Sequence, residues 1–127
     1  MSSETPQRFS EHVGLRFTEM DDGYSRGVVE VTEDLKNPHG VVHGGVLYTM
    51  ADTGMGAAVY TELDADESCA TIEVKINYLQ PVKDGEVVCE TEVVNKGRSV
   101  AYLESELTND GDTVARATGS YSVFTVG

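Results

Sequence analysis

The chain has 127 residues, with 22 Asp and Glu against 9 Lys and Arg and a net charge of −13 at neutral pH. That length suits one domain with a sizeable core and is short of two. The acid excess excludes an extended phosphate-neutralising surface, and with it nucleic-acid binding. No apolar segment is long and uninterrupted enough to cross a bilayer, and no basic-then-apolar leader opens the chain. A cytoplasmic protein without membrane attachment is therefore expected. The acids are spread through strand-like runs rather than gathered in a tail, which fits a solvated anionic surface suited to high salt.

Residues 1–7, polar and Pro-containing, read as a loose tail on a single domain that spans the whole chain, 1–127. A short helix is predicted over Arg8–Val13. Leu15–Met20 and Tyr24–Val31 are strand-like runs flanking Asp21-Asp22-Gly23, a hairpin signal. Asn37-Pro38-His39-Gly40-Val41-Val42 is a Pro- and Gly-rich entry to a run from Val42 to Thr61 that holds one formal charge, Asp52. That run predicts a helix that is apolar nearly all round and hence buried. Beyond it, Ala70–Tyr78 alternates Ile72, Val74, Ile76 and Tyr78 with Thr71, Glu73, Lys75 and Asn77. This is the period of a strand with one buried face. Glu86–Asn95, Val100–Thr108 and Thr113–Val126 follow, joined by Lys96-Gly97-Arg98 and by Asn109-Asp110-Gly111-Asp112. Strands, one long helix and four more strands make an α+β layer architecture. Cys69 and Cys89 lie in strand-like runs without metal-ligand spacing and read as buried thiols; no metal is expected.

The long helix carries the chemistry. An isolated carboxylate is expensive to bury, so Asp52 has either a structural partner, such as a loop or a buried Arg, or a task. His43-Gly44-Gly45 stands at the helix start. There, free N–H groups and the positive end of the macrodipole can hold an oxyanion or a polarised carbonyl. Paired glycines let a ligand approach the backbone, or simply allow close helix–sheet packing. Gly44 and Asp52 are eight residues apart, about 12 Å along the axis at roughly 1.5 Å per residue. A nucleophile must sit about 3–3.5 Å from the carbon it attacks, and the donor about 3 Å from that carbon's oxygen. One helix cannot supply both groups to one carbonyl. Two antiparallel copies about a twofold axis can, so an active site here is expected to be shared between subunits.

In this order and spacing Asn37, His43, Gly44 and Asp52 resemble the signature of the hotdog-fold acyl-CoA thioesterases of the phenylacetate-pathway (PaaI-like) type. Thr71, in Cys69-Ala70-Thr71-Ile72-Glu73-Val74, falls where that family carries a Ser or Thr. Asn77-Tyr78-Leu79-Gln80-Pro81 is similar to its strand-to-turn exit, and Lys96-Gly97-Arg98-Ser99 to its basic hairpin. The likeness runs from about Glu11 to Phe124.

The resemblance implies the hotdog fold, a curved antiparallel sheet wrapped around one long central helix, assembled as a homodimer or tetramer with an edge strand joining a second subunit's sheet. It implies hydrolysis of an acyl-CoA thioester without a cofactor, CoA being part of the substrate. The Gly44 N–H would polarise the thioester carbonyl, and Asp52 of the facing subunit would act as general base on water or as nucleophile. Asn37 would orient the water or the carbonyl, and Thr71 would hydrogen-bond the water or Asp52. His43 would contact the thioester or the leaving thiolate. Lys96, Gly97 and Arg98, with Lys83, would meet the CoA phosphates; otherwise they are solvated turn residues. Tyr48, Met50 and Met55 would line the acyl pocket, whose aryl or alkyl preference is open. One rival keeps the fold and changes the reaction to hydration or dehydration. Asp34-Leu35-Lys36-Asn37-Pro38-His39 departs in spacing from the hydratase pattern, and the dehydratase His-Phe-Pro-Gly is absent. The other rival is a non-catalytic acyl-CoA binding module, which the retained Asp52 and the lack of an attached partner domain disfavour.

Overall fold

Two Asp-Gly pairs set the hairpins. Asp22 (φ 49°) with Gly23 (φ 75°), and Asp110 (φ 52°) with Gly111 (φ 85°), are left-handed, as a two-residue type I′ turn requires. They join Asp21 to Tyr24 and Asn109 to Asp112 directly across their ladders. The computed structural model describes residues 8–126; the tail expected over 1–7 lies outside them. Helix α1 (Arg8–Val13) leads into strands β1 (Arg16–Asp21) and β2 (Tyr24–Glu30). A single 3-10 turn at Glu33–Leu35 precedes the long helix α2 (Gly44–Tyr60). Strands β3 (Glu67–Tyr78), β4 (Glu86–Lys96), β5 (Val100–Asn109) and β6 (Asp112–Thr125) complete the chain.

The six strands form one antiparallel sheet in the order β1-β2-β4-β5-β6-β3, and α2 touches every one of them. This is the hotdog arrangement, α+β as expected. Met50, Ala51, Met55, Ala57, Ala58 and Val59 of α2 are wholly removed from solvent, packed with Val29, Val87, Leu103, Leu107 and Val114 of the sheet. Each large side chain so buried contributes about 1.5–3 kcal/mol. At Gly54 the helix comes down onto the sheet: a Cβ there would stand 3.0 Å from Thr91 Oγ1. The Gly54 carbonyl accepts from Ser25 Oγ at 2.7 Å, and Thr91 and Ser105 bond each other at 2.7 Å. The buried hydroxyls under the helix are thereby satisfied.

Three expectations need correction. Met50 and Met55 do not line a substrate pocket, because both face the sheet and have no exposure. The helix is not covered all round: Tyr48 and Tyr60 are exposed and Asp52 and Thr53 half-buried, leaving a stripe of α2 open. The alternating run that becomes β3 does not bury one face. Val74 and Ile76 are half-buried, while Ile72 and Tyr78 are 57% and 51% exposed. Among the described residues β3 is a sheet edge paired with β6 alone, and a register shift between Thr71 and Glu73 breaks the alternation at Ile72. Both cysteines are free thiols; Cys89 is buried and Cys69 half-buried.

Candidate active site

The approach to α2 is a tight loop. Lys36 bridges to Val42, Asn37 N donates to Val41 O at 2.8 Å, and His43 N donates to Leu35 O at 2.8 Å. The Asn37 side chain builds this loop, its Oδ1 accepting from His39 N at 2.9 Å and Val41 N at 3.5 Å. His43 is the N-cap, its Nδ1 accepting from Gly45 N at 2.8 Å. The neutral ring thus carries its proton on Nε2, in an exposed residue. The Gly44 N–H, first of the helix, has no acceptor among the described residues. Tyr78 lies over Gly44, its hydroxyl donating to Gly44 O at 2.8 Å. A Cβ on Gly44 would stand 3.1 Å from the Tyr78 ring, so a side chain here would make the ring shift by a few tenths of an ångström. An open pocket of about 310 Å³ adjoins it, with Gly44, Leu47, Tyr78, Leu79 and Val82 in its walls. Burial, with Tyr48 nearby, pushes the Tyr78 phenol up, so it remains a donor.

Two turns further along, Asp52 is half-buried on the same helix. Its Oδ1 accepts from Thr71 Oγ1 at 2.8 Å and from the Tyr121 hydroxyl, which also lies against the Asp52 main-chain oxygen. Oδ2 has no partner, and no Lys, Arg or His pairs with the carboxylate, among the described residues. The structural partner that would account for a buried Asp, an Arg, is absent there. Thr71 and Tyr121 face each other across the β3–β6 ladder, which is why both reach one oxygen. Burial first, and then the Asp52 carboxylate, push the Tyr121 phenol far above its ordinary range. Tyr121 and Tyr78 are the residues that sequence reasoning missed. Tyr121 is 69 positions from Asp52, and only the strand register brings them together.

Thr71 and Tyr78 mark the two ends of the candidate site on β3, seven residues apart. The cations divide between these ends. Ala101 pairs with Tyr121, so the Lys96–Ser99 turn lies just beyond the Asp52 end. Lys96 itself pairs with Glu67 at 3.8 Å, both half-buried, whereas Gly97 and Arg98 are exposed. Lys83, also exposed, follows Val82, whose carbonyl accepts from Val42 N at 2.8 Å, and so belongs to the Gly44 end. Among the described residues no three His, Cys, Asp or Glu side chains gather as a metal cage.

The candidate site thus combines a sheet curved round one helix, an N–H at the helix start with no acceptor among the described residues, and a carboxylate eight residues on. Residues 39–116 match the family model of the Thioesterase superfamily, and the chain belongs to that family. A solved structure of the conserved protein PA5202 from Pseudomonas aeruginosa is 34% identical with a TM-score of 0.90, over 94% of this chain and 95% of that one. The phenylacetic acid degradation protein PaaI from Thermus thermophilus, solved as a point mutant, is 29% identical with a TM-score of 0.83, covering 90% of this chain and 96% of its own. The 1,4-dihydroxy-2-naphthoyl-CoA hydrolase of Listeria monocytogenes is 26% identical over 100 residues, 79% of this chain and 81% of that protein. The protein is a PaaI-like hotdog thioesterase. Among the described residues no helix is long and apolar enough to cross a membrane.

Proposed function

We propose that the protein hydrolyses an acyl-CoA thioester to the free acid and CoA, at a site made by two copies of the chain. The observation that carries this reading is the Asp52 carboxylate, held at Oδ1 by Thr71 and Tyr121 with Oδ2 unbonded among the described residues. A half-buried carboxylate with two hydroxyl donors on one oxygen, and no cation paired with it among the described residues, is arranged for proton transfer or attack. The CoA hydrolase among the relatives supports the substrate class.

The sharing is supported by the outer edge of β3, which pairs with no further strand among the described residues. If β3 pairs antiparallel with its own copy about a twofold between Val74 and Lys75, Thr71 comes opposite the partner subunit's Tyr78. That register carries Asp52 of one subunit to Gly44 of the other, closing the roughly 12 Å gap along one helix. It also covers the exposed Ile72 and the free edge groups. The thioester carbonyl oxygen sits on the Gly44 N–H, which takes up its developing charge. Asp52 removes a proton from water as the oxygen attacks the carbonyl carbon; the tetrahedral intermediate then collapses, the C–S bond breaks and CoA leaves as the thiolate. In the nucleophilic variant Oδ2 attacks directly and water cleaves the resulting anhydride. Asn37 orients water or carbonyl through its amide NH₂, and the exposed His43 Nε2–H meets the leaving sulfur. Arg98 and Gly97 come with Asp52 and Lys83 with Gly44, so the CoA phosphates lie between cations of both subunits; Lys96, held by Glu67, fixes the turn.

Free-thiol release from a panel of aryl- and alkyl-CoA esters tests this reading. Asp52→Asn should lose on the order of 10²–10⁴-fold in turnover while staying folded. A folded Asp52→Asn protein with near-normal turnover sinks the assignment. Single turnover in ¹⁸O-water separates base from nucleophile, since only the anhydride route leaves unlabelled oxygen from Asp52 in the product acid.

A further inference from the structure

Resting on that reading of Asp52, we propose that Tyr121 is a positioning residue for the reaction: with Thr71 it pins Oδ1, so that Oδ2 alone meets the reacting water or carbonyl. A free carboxylate has two equivalent oxygens that exchange by rotation about its last bond. Two hydroxyl donors on the same oxygen remove the equivalence. The Tyr121 hydroxyl spans the carboxylate and the main-chain oxygen of the same residue, which ties the side-chain rotamer of Asp52 to the helix backbone.

The ring supporting this hydroxyl is itself fixed. Tyr121 is 4% exposed, and a Cβ added to Gly56 of α2 would stand 3.6 Å from its ring. Its backbone is laddered between Thr71 on β3 and Ala101 on β5. The hydroxyl's short contacts go to Asp52, and the Thr71 hydroxyl stands beside it as well. A phenylalanine would fill the same space and remove only the hydroxyl's contacts with Asp52 and Thr71. The titratable neighbours in this cluster are Tyr121 on β6 and Cys69 on β3, with Tyr48 one turn earlier on α2; burial pushes both Tyr121 and Cys69 up, keeping them neutral. Among the described residues no ion pair reaches the carboxylate, and the two hydroxyls are its side-chain partners.

The test is Tyr121→Phe, which keeps the ring. Turnover should fall on the order of tenfold with KM nearly unchanged. The acidic limb of the kcat/KM–pH profile should move to higher pH, because a hydroxyl that donates to the reacting carboxylate is gone. A 3-fluorotyrosine placed at position 121, a stronger donor of nearly the same shape, should move that limb the other way, and it carries the test alone if the Phe variant does not fold. Unmoved turnover and an unmoved limb in a folded Tyr121→Phe protein, or a fluorinated protein whose limb stays put, overturn the proposal. If Asp52→Asn is inactive and Tyr121→Phe is unchanged, only the role of Tyr121 fails. If Asp52→Asn is active, the reading of Asp52 fails and the positioning role falls with it.

Discussion

Gly44→Ala places a methyl where the Tyr78 ring stands. The added Cβ would meet Tyr78 Cζ at 3.1 Å, its hydroxyl oxygen at 3.2 Å and Cε1 at 3.3 Å. Carbon pairs are comfortable at about 3.5–4.0 Å, so the ring must retreat by a few tenths of an ångström, loosening the hydroxyl that donates to Gly44 O at 2.8 Å. That hydrogen bond is worth about 0.5–1.5 kcal/mol. In the other direction, Ala is a better helix former than Gly by up to about 1 kcal/mol. The terms nearly cancel, and the melting temperature should stay within about 3–5 °C of the parent. Activity should not be spared. Losing an oxyanion donor outright costs on the order of 10²–10³-fold. A donor displaced with its carbonyl seat should therefore lose about 10- to 100-fold in kcat/KM. Thiol release from the acyl-CoA panel, alongside a thermal melt, reads both quantities. Tyr78→Phe, which loses the hydroxyl and keeps the ring, should change kcat/KM only a few-fold. A Gly44→Ala protein that is folded and within twofold of parental activity would show that the carbonyl does not sit at the start of α2.

Further outcomes are expected from the same structure. Mixing inactive Asp52→Ala subunits with inactive subunits bearing Gly44→Leu should rebuild some complete sites; verified mixed dimers without recovered activity would mean that each subunit works alone. On the outer face Glu90 stands opposite Glu106 and Glu92 opposite Glu104, pairs that repel at low salt. Raising KCl from 0.01 M to molar shortens the Debye length from about 30 Å to about 3 Å; melting temperature and light-scattering mass should rise, and flat curves would rule out a salt adaptation. Burial pushes the Cys89 thiol up from 9.0 to about 11. An acid whose folded value is raised stabilises fully below its unfolded value, so this contribution is present below pH 9 and is lost as pH rises toward 11. The loss amounts to about 2–3 kcal/mol, and Cys89→Ala should flatten the alkaline decline in melting temperature; parallel slopes in both proteins would refute the assignment.

What the chain declares by itself is local. The Asp22-Gly23 and Asp110-Gly111 turns, the extent of α2 and the lone Asp52 within it all depend on neighbours a few positions away, and they appear in the structure within a residue or two of their expected limits. The set Asn37, His43, Gly44, Asp52 and Thr71 is singled out by its resemblance to a family signature, four of them on α2 and its approach and Thr71 on β3. The Thr71 bond to Asp52 is there at 2.8 Å. Tertiary structure decided the rest. A helix rich in apolar residues on every side has no phase that periodicity can read, so only docking on the sheet sent Met50 and Met55 into the core and left Tyr48 and Asp52 on the open stripe. The alternation in β3 distinguishes two faces and cannot say whether either is covered; its edge position and the shift at Ile72 settled that. Tyr121 meets Asp52, and Tyr78 meets Gly44, through strand pairing over long separations in sequence. Register is a property of the whole sheet, and no local run of residues contains it.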